Sequence, residues 1–166
     1  MAESPTKSRF WYRVRMALYT VAAVQGFAAP IVNPPAEVLV DLSGPVRVVA
    51  IILSMLAPLG MGPVVFIVIA ITAINPFADD HWPWPNHDTN PLQLGNPLPF
   101  FHFFSYFILA AAGGALLATP FAGWLGVGAA VALALGGLSC LAGVHAAARF
   151  ATNKTRPPHV STEDNG

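Results

Sequence analysis

Charged side chains are scarce in this sequence and missing from two long stretches of it. They make up 10% of the residues, far below the roughly 25% of an ordinary soluble domain. No Asp, Glu, Lys or Arg lies between Val48 and Phe77 or between Thr89 and Ala148. Each stretch is longer than the roughly 20 residues with which a helix crosses a bilayer. These absences exclude a soluble globular domain and predict a multi-pass membrane protein whose first partner is the lipid bilayer.

The sequence also has only one cysteine and no net charge. The single cysteine, Cys140, cannot form an intramolecular disulfide or a cysteine-based metal motif, and its apolar neighbours favour a packing role. Eight basic and eight acidic residues give a formal net charge of zero. A nucleic-acid partner is therefore not expected, because such proteins carry a basic surface.

Four apolar segments are long enough to be transmembrane helices, so we predict an all-α membrane protein with one domain over residues 1–150. The predicted spans run from Trp11 to Val32, Val46 to Ile74, Leu98 to Ala118 and Ala122 to Arg149. The first apolar run follows basic residues, as in a signal peptide, but three more runs follow, so we expect it to be retained. Residues 151–166 are polar and are predicted to form a disordered tail.

The second span and the last two spans carry additional signals. The segment "APLGMGP", Ala57 to Pro63, predicts a kink between Pro58 and Pro63, because proline removes a backbone donor. The connection "TPFAG", residues 119–123, is short enough to make the last two spans a tight antiparallel hairpin. Small residues every four positions would allow close backbone approach, either within this hairpin or to another subunit. They are Ala110, Gly114, Ala118, Gly128, Ala132 and Gly136.

Basic residues predict the orientation of the chain. Four of the eight lie in the N-terminal segment and three lie from Arg149 onward. By the positive-inside rule both termini are cytoplasmic, with Arg13 and Arg15 extending from the first span to the inner interface. The Ala- and Gly-rich composition favours a bacterial source, and hence the bacterial inner (plasma) membrane.

The segment "NPFADDHWPWPNHDTNP", residues 75–91, lies between the second and third spans and contains three aspartates, two histidines and two tryptophans. Trp82 and Trp84 alternate with prolines, which favour an extended chain, and tryptophan is enriched at the headgroup layer. A stiff interfacial anchor is therefore our preferred interpretation. The alternative is a metal site, because imidazole and carboxylate ligands suit several transition metals. Its ligands would be His81, His87, Asp80 and Asp88.

Two further histidines lie near the cytoplasmic ends of the last two spans. His102 falls about one turn into the third span and His145 about one turn before the end of the fourth. Ionisable groups inside a membrane are candidates for a functional role, so either histidine could hold a haem or chlorin. The competing interpretation is structural, with each ring hydrogen-bonded to a carbonyl or a headgroup.

The function predicted from these features is association. The inner parts of the spans lack Asp, Glu, Lys and Arg, so no proton relay or ion-coupling pair is indicated. His102 and Ser105 share a helical face, but phenylalanines surround them, and the sequence favours a protein that is not an enzyme. We predict an accessory, assembly or scaffolding subunit bound to other membrane proteins. The alternative is a metal- or haem-binding redox protein that uses the cytoplasmic-side histidines.

Overall fold

The computed structural model describes residues 5–32, 44–74, 90–92 and 96–154, and this part of the chain is almost entirely helical. The helices are α1 (Pro5–Val32), α2 (Gly44–Leu56), α3 (Met61–Ile74), α4 (Leu98–Leu117), α5 (Thr119–Ala122) and α6 (Trp124–Lys154). A 3₁₀ turn, Ala57–Gly60, connects α2 to α3 without a gap.

Four helical stretches are long and apolar enough to cross a membrane. They are Arg9–Val32, Gly44–Ala73, Leu98–Leu117 and Trp124–Ala151, and we refer to them as the first to fourth spans. For the described residues, the prediction of an almost entirely helical chain with four helices long and apolar enough to cross a membrane is thus confirmed. The arrangement is compatible with a multi-pass membrane protein. Helix α6 continues to Lys154, beyond the expected domain boundary at residue 150. Residues 155–166 of the predicted tail lie outside the described residues.

Local chemistry explains where α4 and α6 begin. The side-chain oxygen of Asn96 accepts a hydrogen bond of 3.0 Å from the backbone N–H of Leu98, one of the donors that a helix start leaves unsatisfied. Pro99 follows within the first turn, where its missing N–H costs nothing. Gly123 has a φ of +57°, a conformation that glycine adopts without steric penalty. It separates α5 from α6.

The four spans form an open row in which α4 and α6 occupy the middle. Helix α1 packs mainly against α4, while α3 and the 3₁₀ turn pack against α6. The backbones of α1 and α4 are in close contact where Gly26 lies on Ala111 and where Gly114 lies on Ala23. Those of α4 and α6 meet where Gly137 lies against Leu109 and the carbonyl oxygen of Ser105. Among the described residues, the first and second spans therefore each contact the rest of the bundle along one side only.

An apolar cluster fills the junction of α3, α4 and α6. Its buried members are Val65, Ile69, Leu98, Cys140, Val144, Ala147 and Ala148. The Cys140 sulfur lies 3.9 Å from the carbonyl oxygen of Phe101, so the thiol points into the α4–α6 contact. Cys140 has no exposed surface. The rate at which a thiol reagent such as a maleimide modifies Cys140 therefore reports whether the spans remain packed.

Candidate functional site

The predicted loop site lies outside the described residues. This applies to the four metal-ligand candidates His81, His87, Asp80 and Asp88 and to the interfacial anchors Trp82 and Trp84. Within the described ranges, no group of three or more His, Cys, Asp or Glu side chains comes close enough together to hold a metal ion. Both the metal hypothesis and the anchor hypothesis for the loop stay predictions.

The two membrane histidines lie in different surroundings. His102 is buried on α4, and its ring meets the ring of Tyr106 edge-on with centroids 5.0 Å apart. His145 is exposed on α6, and its Nδ1 lies 2.8 Å from the carbonyl oxygen of Leu141 in the preceding turn. His145 is thus tied to its own helix, while His102 belongs to an aromatic cluster.

A buried cation lies at the centre of this aromatic region. Arg15 has no exposed surface, and its guanidinium carbon lies 5.7 Å from the centroid of the Phe103 ring. Tyr19, one turn further along α1, stacks on Phe103 with centroids 5.5 Å apart and reaches Tyr106 at 6.4 Å. The contact between α1 and α4 around Arg15 and Phe103 therefore combines a cation with aromatic rings. Such a cation–π contact is favourable where water is excluded.

Sequence reasoning missed this cluster because it expected Arg13 and Arg15 to extend together to the interface. Arg13 is exposed, but Arg15 is buried. Spacing carries the missing signal: Arg15 and Tyr19 fall on the same side of α1 as the buried Ala22 and Gly26. Side chains three and four residues apart lie on one face of a helix. The spacing of these residues could therefore have indicated which face of α1 packs against another helix.

A single serine of α6 completes the hydrogen bonding of the 3₁₀ turn in the second span. Pro63 has no N–H, so it cannot donate to the carbonyl of Leu59 four residues earlier. The Ser139 hydroxyl donates to that Leu59 carbonyl oxygen instead. Met61 donates its N–H to the Pro58 carbonyl, and the Gly62 N–H donates to the Ser139 oxygen at 3.1 Å.

Glycines bring the two backbones close enough for this serine to reach the turn. A Cβ atom on Gly62 would overlap the Ser139 carbonyl oxygen, and one on Gly143 would overlap the Gly62 carbonyl oxygen. Only residues without a Cβ fit at such a distance. The freed backbone groups inside the span are thus satisfied by a neighbouring helix, as an apolar environment requires.

The predicted small residues differ in their surroundings. Gly114 packs against the backbone of Ala23 in α1, and Gly136 packs against the Pro58 side chain. Ala118 is fully buried at the end of α4, whereas Ala110, Gly128 and Ala132 are half-buried. Close approach between α4 and α6 uses Gly137 and Gly126. The four-residue pattern therefore includes close contacts at Gly114 and Gly136 but does not specify which part of the protein each one faces.

Replacing Ser139 by alanine is expected to destabilise the packing of the second span on α6 by about 2 kcal/mol. The substitution leaves the Leu59 carbonyl and the Gly62 N–H without partners in an apolar environment. The measurement is the free energy of unfolding by SDS titration in bicelles. Ser54→Ala is the control, because within the described residues the Ser54 hydroxyl bonds to the Ile51 carbonyl of its own helix and to no other helix. Equal losses for the two variants would contradict a bridging role for Ser139.

The described polar side chains bond mainly to backbone carbonyl groups, some within their own helix and some on a neighbouring one. Ser139 satisfies backbone groups, the Cys140 thiol points at a backbone carbonyl, and the Ser105 hydroxyl donates to the Phe101 carbonyl at 2.7 Å.

No family model, curated protein or solved structure matches the chain.

Proposed function

We propose that this protein acts by association, as an accessory, assembly or scaffolding subunit of a larger membrane complex. The observation that carries the proposal is the open row of spans. Helix α1 packs on α4, and the second span packs on α6, so each outer span keeps a long apolar face directed away from the other described helices. Further membrane-protein subunits would bind to these outer faces. The proposed location is the bacterial inner membrane, with both termini cytoplasmic.

The second span is proposed to be kinked between Pro58 and Pro63. The 3₁₀ turn Ala57–Gly60 supports this, because it interrupts the α-helical hydrogen bonding between α2 and α3. The last two spans are proposed to form a tight antiparallel hairpin. Its support comes from two contacts, Gly126 with Ala115 and Gly137 with Leu109, since later positions on α6 meet earlier positions on α4.

The interior of the bundle supports a structural rather than a transport role. Close backbone contacts on both sides of α4 and α6 leave glycine as the only fitting residue at several points, including Gly26, Gly114, Gly62 and Gly143. Packing at this density rigidifies the central helices. A rigid core with two apolar outer faces is suited to holding other subunits in fixed positions.

The second candidate function is that of a redox protein that binds a metal or haem. The burial of His102 beside Tyr106 favours it, because a buried imidazole among aromatic rings resembles the setting of a cofactor ligand. Native mass spectrometry of the protein extracted from its own membrane distinguishes the two functions. A complex with another polypeptide and no cofactor mass supports association. A 17.5 kDa chain carrying a cofactor mass supports the redox function.

We expect Ile67→Trp on the outer face of α3 to reduce recovery of the partner roughly tenfold. A bulky ring at a packed contact costs about 1–3 kcal/mol, and 1.4 kcal/mol corresponds to a factor of ten. Leu138→Trp is the control, since α6 has neighbours on two sides and Leu138 is similarly exposed, at 56% against 53% for Ile67. Recovery of the partner is measured by quantitative mass spectrometry of the purified complex. Equal recovery from both variants would count against an interface on α3.

A further inference from the structure

Gln25 places an exposed amide in the interior of the first span. It lies seven residues before the end of α1 at Val32, which corresponds to a depth of about 10 Å along the helix. The neighbouring Gly26 packs on Ala111, which is six residues, or about 9 Å, before the end of α4. Taking the ends of the two helices as the edge of the hydrocarbon layer, both counts place the Gln25 side chain too deep to reach the headgroups with its own length.

The other exposed polar side chains of the span interiors are satisfied by their own helices. Thr20 donates to the carbonyl of Met16 at 3.0 Å, Ser54 to that of Ile51 at 2.8 Å, and Thr72 to that of Val68 at 2.9 Å. For Gln25, the described part of the chain offers no such hydrogen bond. A carboxamide carries two donors and an acceptor, and leaving them unsatisfied in hydrocarbon is costly.

The surroundings of Gln25 leave it accessible from outside the bundle. Val21 and Ala29, one turn before and one turn after it, are exposed, while Ala22 and Gly26 lie buried on the side that packs. This exposed surface, defined by Val21, Gln25 and Ala29, is called the outer face of α1. It is apolar except for the single amide.

We propose that two copies of this chain pair through the outer faces of α1, with the two Gln25 carboxamides hydrogen-bonded to each other. Two copies in one membrane share an orientation, so a two-fold axis along the membrane normal places both amides at the same depth. A carboxamide is both donor and acceptor, so each can donate to the other across that axis, as an isologous contact requires. The inference rests on the proposed function, since it names a second copy as one of the associated subunits.

Cysteine cross-linking in native membranes tests the pairing with full-length protein. Val21→Cys lies about 40° around the helix from Gln25, and Thr20→Cys lies about 140° away at nearly the same depth. The native Cys140 is fully buried and gives a low background. On oxidation, we expect Val21→Cys to give at least about fivefold more of the species at twice the 17.5 kDa chain mass than Thr20→Cys gives.

Adding Gln25→Leu to the Val21→Cys chain isolates the role of the amide. We expect the cross-linked fraction to fall roughly tenfold, in the range of interhelical hydrogen bonds in membranes. Leucine suits a lipid-facing position, and continued protection of Cys140 from a maleimide shows that the fold is retained. Cross-linking that is unchanged by Gln25→Leu, or equal at positions 20 and 21, would overturn the proposal.

Native mass spectrometry of the extracted, unmodified protein separates this inference from the proposed function. Two copies in one assembly support the inference. One copy bound to a different polypeptide overturns the pairing and leaves the subunit function standing. A single 17.5 kDa chain without any partner overturns both.

Discussion

Gly114→Ala is expected to destabilise the protein by about 3 kcal/mol, although it adds only one methyl group. The added Cβ would overlap the carbonyl oxygen of Ala23 and crowd the backbone nitrogen of Phe27 on α1. Backbone atoms cannot rotate away as a side chain can, so α1 and α4 must separate, and the cost falls at the upper end of the range for overpacked cores. The measurement is the free energy of unfolding by SDS titration in bicelles.

Gly113→Ala is a matched control for that experiment. Gly113 is the adjacent residue of α4, and a Cβ added there has no neighbouring atom within 4 Å. Alanine is also the better helix former by about 1 kcal/mol, so Gly113→Ala should be neutral or slightly stabilising. Equal losses for Gly113→Ala and Gly114→Ala would show that helix propensity, and not the contact with α1, determines the effect.

Gly62→Ala is expected to cost about 3 kcal/mol at the other close contact. Its Cβ would overlap the Ser139 carbonyl oxygen and lie within 2.5 Å of the Ser139 hydroxyl oxygen. The substitution therefore forces α3 from α6 and also breaks the bond from the Gly62 N–H to Ser139. We would measure unfolding as above and follow the reactivity of Cys140, which is buried at the same junction.

Gly60→Ala provides the control for the second span. A Cβ on Gly60 meets nothing within 4 Å, so this substitution should change stability by less than about 1 kcal/mol. The double variant Gly62→Ala with Ser139→Ala should lose less than the sum of the single variants, because removing the hydroxyl relieves part of the overlap. Strict additivity would mean that the two residues do not interact.

The sequence was sufficient for the four spans because that prediction depends only on hydropathy and length. Helix partners were harder to predict. Gly114 and Gly136 repeat with the same spacing, yet Gly114 faces α1 and Gly136 faces Pro58. A periodic pattern locates one side of a helix but carries no information about which neighbour lies there. Pairing depends on how all the spans are arranged around α4 and α6.

Arg15 illustrates the same limit for the candidate site. Position in the sequence put it near the inner interface, where an arginine side chain normally extends to water. Its burial depends on Phe103, which comes from a helix almost ninety positions later in the chain. Composition could not reveal that contact. The role of Ser139 was hidden for a related reason, since its acceptor becomes available only through the absence of an N–H at Pro63.

The serine bridge also bears on how the protein is made. Gly62 and Ser139 are 77 residues apart, so at 5–20 residues per second the ribosome needs roughly 4–15 s to supply the serine after the glycine. Throughout that interval Ser139 is not available to the Leu59 carbonyl or to the Gly62 N–H. If the second span enters the bilayer during this time, those two groups need another polar partner until the last helix arrives.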